Sequence, residues 1–281
     1  MVVLDNGNLR VEIAELGAEI RRVTLDGEER FYDGNPEFWT GVAPILFPIC
    51  GGLKDDKYTF EGNTYTIPKH GFARKSIFEV EAQTATKAVF LLKENDETLK
   101  VFPWKFELRV EYALSGNNIN IKYDVNNTDR KTMYMSIGSH EAYSCPEGIE
   151  DYDVIFEKKE TLRALKVLGN SISREYDIVL KDSDTLPMYN KYFEVDAFVF
   201  ADLKSRYATL RNRKTGKSVS VSFPDCKYFL IWTKPNAPYL CLEPWAGFPS
   251  FEDEGYDITL KEGIKTVRAG EHYINSHSVQ F

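Results

Sequence analysis

The chain has four histidines, at positions 70, 140, 272 and 277, few enough for each to be weighed in its own surroundings. His140 ends Met135-Ser136-Ile137-Gly138-Ser139-His140, where an apolar strand pattern breaks at Gly138 and delivers an imidazole just beyond the sheet. A strand end suits proton transfer, because a rigid scaffold there presents a side chain to a cleft. Glu243 stands in Leu240-Cys241-Leu242-Glu243-Pro244-Trp245-Ala246-Gly247, a carboxyl within an apolar strand. Burying it ionised is costly unless it is paired or hydrogen-bonded, so it needs a compensating role. An imidazole that titrates near neutrality and a carboxyl whose range burial can shift are the materials of general acid–base chemistry.

His70 opens His70-Gly71-Phe72-Ala73-Arg74, where Gly71 permits a sharp turn that can bring His70 and Arg74 into one cleft. Each residue also has an ordinary explanation. A histidine at a strand end is commonly a satisfied hydrogen-bonding group, Glu243 could hold a backbone amide or an arginine, and Arg74 could be a surface ion-pair partner. His272 and His277, on an alternating C-terminal strand, read as structural or solvated.

The elements that must position these groups are strands. Phe106, Leu108, Val110, Tyr112 and Leu114 alternate with Lys105, Glu107, Arg109 and Glu111, and after Ser115-Gly116-Asn117-Asn118 the pattern resumes at Ile119, Ile121, Tyr123 and Val125. This predicts a long hairpin with one buried face, the charged residues facing outward or lining a cleft. Further hairpins are expected at Tyr58–Phe60 with Tyr65–Ile67 and at Ala208–Leu210 with Val219–Val221, and a closing strand from Thr266 to Phe281. Short helical pieces are expected only within Glu157–Leu168 and Thr40–Phe47. With no repeat and no Pro-, Gly- or Ser-rich linker, the expectation is a mainly β protein, one large antiparallel β-sandwich domain over residues 1–281.

The formal net charge of −8 and the lack of a long basic block argue against a nucleic-acid partner. No run approaches the ~20 apolar residues that span a bilayer, and the start of the chain lacks a basic stretch followed by an apolar one, so no membrane association and a cytoplasmic location are the defaults. Cys50, Cys145, Cys226 and Cys241 show neither CxxC spacing nor histidines at zinc-site intervals; free buried thiols and no metal or other cofactor are expected. The aromatic content of 14% supplies ring faces of the kind that pack on the apolar C–H faces of a pyranose.

Four segments in order, Ala43-Pro44-Ile45-Leu46-Phe47-Pro48, His70-Gly71-Phe72-Ala73-Arg74, Ser136-Ile137-Gly138-Ser139-His140-Glu141-Ala142-Tyr143 and Leu242-Glu243-Pro244-Trp245, resemble the aldose 1-epimerase (galactose mutarotase-like) family, and within it the bacterial branch associated with lactose operons. The matching stretches run from about position 40 to 250. The resemblance implies a β-supersandwich with a sugar cleft, His140 as general acid, Glu243 as general base, and His70, Arg74, Asp196 and Trp245 as sugar-binding residues. The expected partner is a small sugar, and the protein is expected to be a monomer or homodimer.

Two departures stand out. Family members commonly carry an arginine where this chain has Gly52, and a proline where it has Glu141; Lys54 or Arg74 could take over the arginine's contact. In the implied reaction, Glu243 removes the anomeric hydroxyl proton while His140, starting as imidazolium and raised by the nearby carboxylate, protonates the ring oxygen. A non-catalytic carbohydrate-binding or sensor protein is the first alternative. The second is a hexose-phosphate mutarotase, for which Lys69, Arg74 and Lys75 are available as cations although neighbours on a strand diverge to opposite faces. A purely structural β-sandwich is the last.

Overall fold

The computed structural model describes residues 1–281 and is mainly β. One fifteen-stranded antiparallel sheet dominates, joined by a four-stranded sheet at the N-terminus and two short ribbons. The hairpin read from two-residue alternation is present as Phe106–Ser115 paired with Asn118–Asn127. Its apolar residues are buried, and Glu107, Arg109 and Glu111 pair outward with Lys93, Glu81 and Lys87. The hairpins Lys57–Phe60 with Asn63–Thr66 and Tyr207–Asn212 with Ser218–Ser222 also form, and His272–Gln280 closes the sheet.

The two helical expectations fail. Tyr152–Leu168 is a 17-residue strand paired with Ser171–Pro187, because pairing along this long ribbon outweighs the weak local helical pattern. Thr40–Phe47 holds bends and the two-residue strand Ile45–Leu46.

The large sheet folds over itself. Five strands separate Tyr239–Ala246 from His272–Gln280 in the sheet order, yet His277 from the second bonds across the interior to Glu141, which pairs with the first. Between the layers lies a cluster of 66 buried residues, with Trp104, Phe106, Tyr123 and Phe229 among its largest members. Tyr239–Ala246 is buried on both faces, the inner face in this core and the outer against the cleft. All four cysteines are buried and free; Cys226 and Cys241 do not pair. No helix is long and apolar enough to cross a membrane.

Candidate active site

Sheet register places the two central groups. Gly138 lies opposite Trp245, and Glu141 lies opposite Leu242. Continuity between those pairs sets His140 across from Glu243, and side chains directly opposite on neighbouring strands share a face. His140 Nδ1 is 3.5 Å from Glu243 Oε1, too long for a strong hydrogen bond. Only 8% of His140 and 1% of Glu243 is exposed, and His140 Nδ1 and Glu243 Oε2 are buried without hydrogen-bond partners. Such atoms are costly in a finished core and ready for a polar ligand.

His70 reaches the same place by a strained turn. Its φ is +69°, and Gly71 follows at +67°. A side chain at 71 would meet the Phe47 carbonyl oxygen at 2.3 Å, so glycine permits both the left-handed backbone and the close approach. The amide of Gly51 donates to His70 Nδ1 at 3.2 Å. The accepting nitrogen carries no proton, so the neutral ring holds its proton on Nε2 as a donor.

A cleft of about 430 Å³ gathers His70, Arg74, His140, Asp196, Glu243 and Trp245, all six residues expected from the sequence. A volume of this size lies within the usual range of small-molecule sites. Trp245 differs from its expected role: it is 2% exposed, donates from Nε1 to the Ser139 carbonyl at 2.9 Å, and sets its ring edge-on to His70. It braces the histidines more than it offers a face. Asp196 lies in the short irregular stretch before Phe198–Phe200, where Oδ1 accepts from the Ala197 amide.

Two aromatic walls escaped the sequence reading. Trp39 lies 4.8 Å from His140 between ring centroids, tilted 33°, and Trp232 stands edge-on to the same imidazole at 5.4 Å. Trp232 at the end of an apolar strand before Thr233-Lys234-Pro235 was the available signal; Trp39, in a bend between remote segments, gave none. Both are half-buried and line the cleft.

The missing arginine has a structural reason. A Cβ on Gly52 would meet the carbonyl oxygen of Asn170 at 2.5 Å. Asn170 belongs to the tip of the 17-residue ribbon and lines the cleft, its amide donating to Asp56. Lys54 does not replace the arginine, since its Nζ donates to the carbonyls of Glu252 and Glu254; Arg74 does line the cleft.

Electrostatics reverse one expectation. Burial pushes His140 down to about 3, outweighing its backbone contact, and Lys69 and Arg74 add repulsion. Burial likewise pushes Glu243 well above the usual carboxylate range, with the charge of Glu141 adding to it. A neutral carboxyl gives no Coulomb attraction to an imidazolium, so the expected raising of His140 is absent. Both groups prefer their neutral forms. His140, Cys241 and Glu243 also place one ligand atom each within 4.8 Å of one another, a grouping able to hold a metal ion that sequence spacing concealed because the fold, not a local motif, assembles it.

Comparison with known proteins follows the same line. The family model described as aldose 1-epimerase matches residues 1–273. The plasmid-encoded LacX protein of Lactococcus lactis subsp. lactis is 35% identical over 95% of this chain and 94% of its own. A galactose mutarotase related enzyme from Lactobacillus acidophilus superposes with a TM-score of 0.95 at 33% identity, covering 99% of this chain and 96% of that one. A galactose mutarotase-like protein from Lactobacillus casei gives 0.94 at 28% identity, covering 100% and 99%.

Proposed function

The chain belongs to the aldose 1-epimerase family, and from that premise we propose that it interconverts the α and β anomers of a free aldose such as galactose or glucose, as one sandwich domain and without a cofactor. The observation that carries this reading is the buried His140–Glu243 pair, each with a polar atom left unpartnered toward a sugar-sized cleft.

Ring opening needs the anomeric hydroxyl proton removed while the ring oxygen gains one. Beyond the N–H of the neutral imidazole the pair holds one titratable proton, and burial favours it on Glu243. A bound sugar changes the balance: its anomeric hydroxyl donates to Glu243 and its ring oxygen accepts from His140, which together stabilise the carboxylate and imidazolium. Glu243 then takes the hydroxyl proton as base and His140 gives one to the ring oxygen as acid. The carbonyl turns about C1–C2, and the groups exchange roles as the ring closes on its other face. Each positioned group typically contributes about 10²–10⁴-fold. In this reading Trp39 and Trp232 pack on the sugar's C–H faces, His70 donates from Nε2, and Arg74 and Asp196 hold hydroxyls.

A phosphorylated aldose is the second reading, favoured by one observation. Lys69, Arg74 and Lys234 line the cleft, and none of the three is in an ion pair. Lys75 lies away from them, by Phe72 and Ile77. Unpaired cations converging on one cavity suit a phosphate.

Anomer exchange followed by NMR on freshly dissolved galactose, glucose and their 6-phosphates, with the parent and a His140→Asn variant, tests both readings. Acceleration of the free sugars by the parent alone supports the first. Acceleration confined to the phosphates supports the second, and none with a folded parent refutes mutarotation and leaves a sugar-binding protein.

A further inference from the structure

Behind the cleft, on the opposite face of the strand that follows His140, a second acid and imidazole are buried together. Glu141 Oε1 and His277 Nε2 are 2.7 Å apart, with side-chain exposures of 3% and 0%. Glu141 sits opposite Leu242 in the ladder, so it projects into the core from the strand pair whose other face carries His140 and Glu243. Glu141 Oε2 and His277 Nδ1 have no partners.

Such a pair is a poor stabilising device. Its two groups are desolvated, half of their hydrogen-bonding capacity is unmet, and apolar residues of similar size would pack there at no loss. Its placement gives it another use. Glu141 is covalently next to His140, and its bond to His277 ties that point of the backbone to a strand of the other layer.

We propose that Glu141 and His277 are positioning residues for the acid–base pair, a buried dyad that fixes the backbone carrying His140 opposite Glu243. The role in turnover rests on the mutarotase reading; the anchoring of the backbone beside His140 does not. The proposal also gives a use to the residue that departs from the family pattern at position 141.

The test follows hydrogen exchange of the Ala142 amide, which donates to the Val42 carbonyl beside the dyad, together with steady-state kinetics, in the parent, Glu141→Leu, His277→Leu and the double variant. Loss of the cross-layer bond is expected to speed exchange of that amide by about tenfold and to lower kcat by about tenfold with KM within about twofold. A folded single variant with parental exchange overturns the proposal whether or not the parent turns sugar over. Should neither single variant fold, the double variant, which packs two apolar side chains together, is read in the same way. In the double variant, melting at or above the parental temperature with faster exchange and kcat lost supports the dyad, whereas parental exchange and kcat refute it. No turnover by the parent, with exchange faster in the variants, refutes the mutarotase reading and leaves the anchoring of the backbone standing.

Discussion

The indole of Trp39 lies against the imidazole of His140, with centroids 4.8 Å apart and planes tilted by 33°. One aromatic residue thereby shields the histidine from water and offers a ring to whatever enters the cleft. Trp39→Ala is expected to raise KM about five- to tenfold, as loss of an aromatic contact commonly does. It should also let the His140 titration rise from about 3 toward the ordinary histidine range, because burial is the main cause of the depression. Steady-state kinetics and imidazole NMR check the two effects; an unmoved titration would mean that Trp39 does not shield the ring.

Glu243→Gln is expected to lower kcat by at least about 10²-fold and leave sugar affinity within about tenfold. The same change should stabilise the fold at neutral pH. A carboxyl raised in the folded state binds more protons than the unfolded chain above 4.5, so its stabilising contribution is complete below 4.5 and is lost as pH rises toward the folded value. The glutamine variant escapes that loss. It should exceed the parent at pH 6.5 and match it at pH 4, measured by denaturant titration. Equal stability at both pH values would show that Glu243 is not held neutral.

His140 gives the opposite slope. Its folded value of about 3 lies below the ordinary 6.5, so the unfolded chain binds more protons between them, and stability falls as pH drops through that window. From pH 7 to pH 5 the parent should lose about 2 kcal/mol more than His140→Asn. Parallel losses in the two proteins would contradict a buried neutral imidazole.

Lys234→Ala separates the two candidate substrates. With a free hexose KM should change by less than about twofold, because the side chain is exposed at the cleft rim. With a hexose 6-phosphate it should rise by about tenfold, the usual scale for one charge-assisted phosphate contact. No difference between sugars would remove Lys234 from phosphate recognition.

How much of this was legible in the sequence follows from the range over which each signal acts. Alternation along Phe106–Leu114 and Ile119–Val125 is a local property of a half-buried strand and marked that hairpin. The segment Tyr152–Leu168 was misread in part because it leaves its sheet neighbours as a ribbon, where mixed burial blurs the period of two. His140 and Glu243 were visible as polar residues in apolar strands, and motif order linked them. The bond from Glu141 to His277 spans 136 positions and could not be read from either strand alone. Likewise the dominance of burial over charge at His140 depends on Trp39 and Trp232, which only the folded chain brings around the ring.

Gly52→Arg is the change that would restore the family's usual side chain, and here it should fail. The added Cβ would press on the backbone of Asn170, an overpacking that costs about 1–3 kcal/mol and lowers the melting temperature by several degrees. Unchanged melting would show that the ribbon tip yields easily.

The contact of Gly52 with Asn170 therefore ties the residue allowed at position 52 to the course of the ribbon. With the ribbon tip lying over position 52, a side chain there fits best with a shorter or redirected ribbon, so the two features act as one unit. Among relatives of this protein, the length of the segment around position 170 and the residue at position 52 should change together.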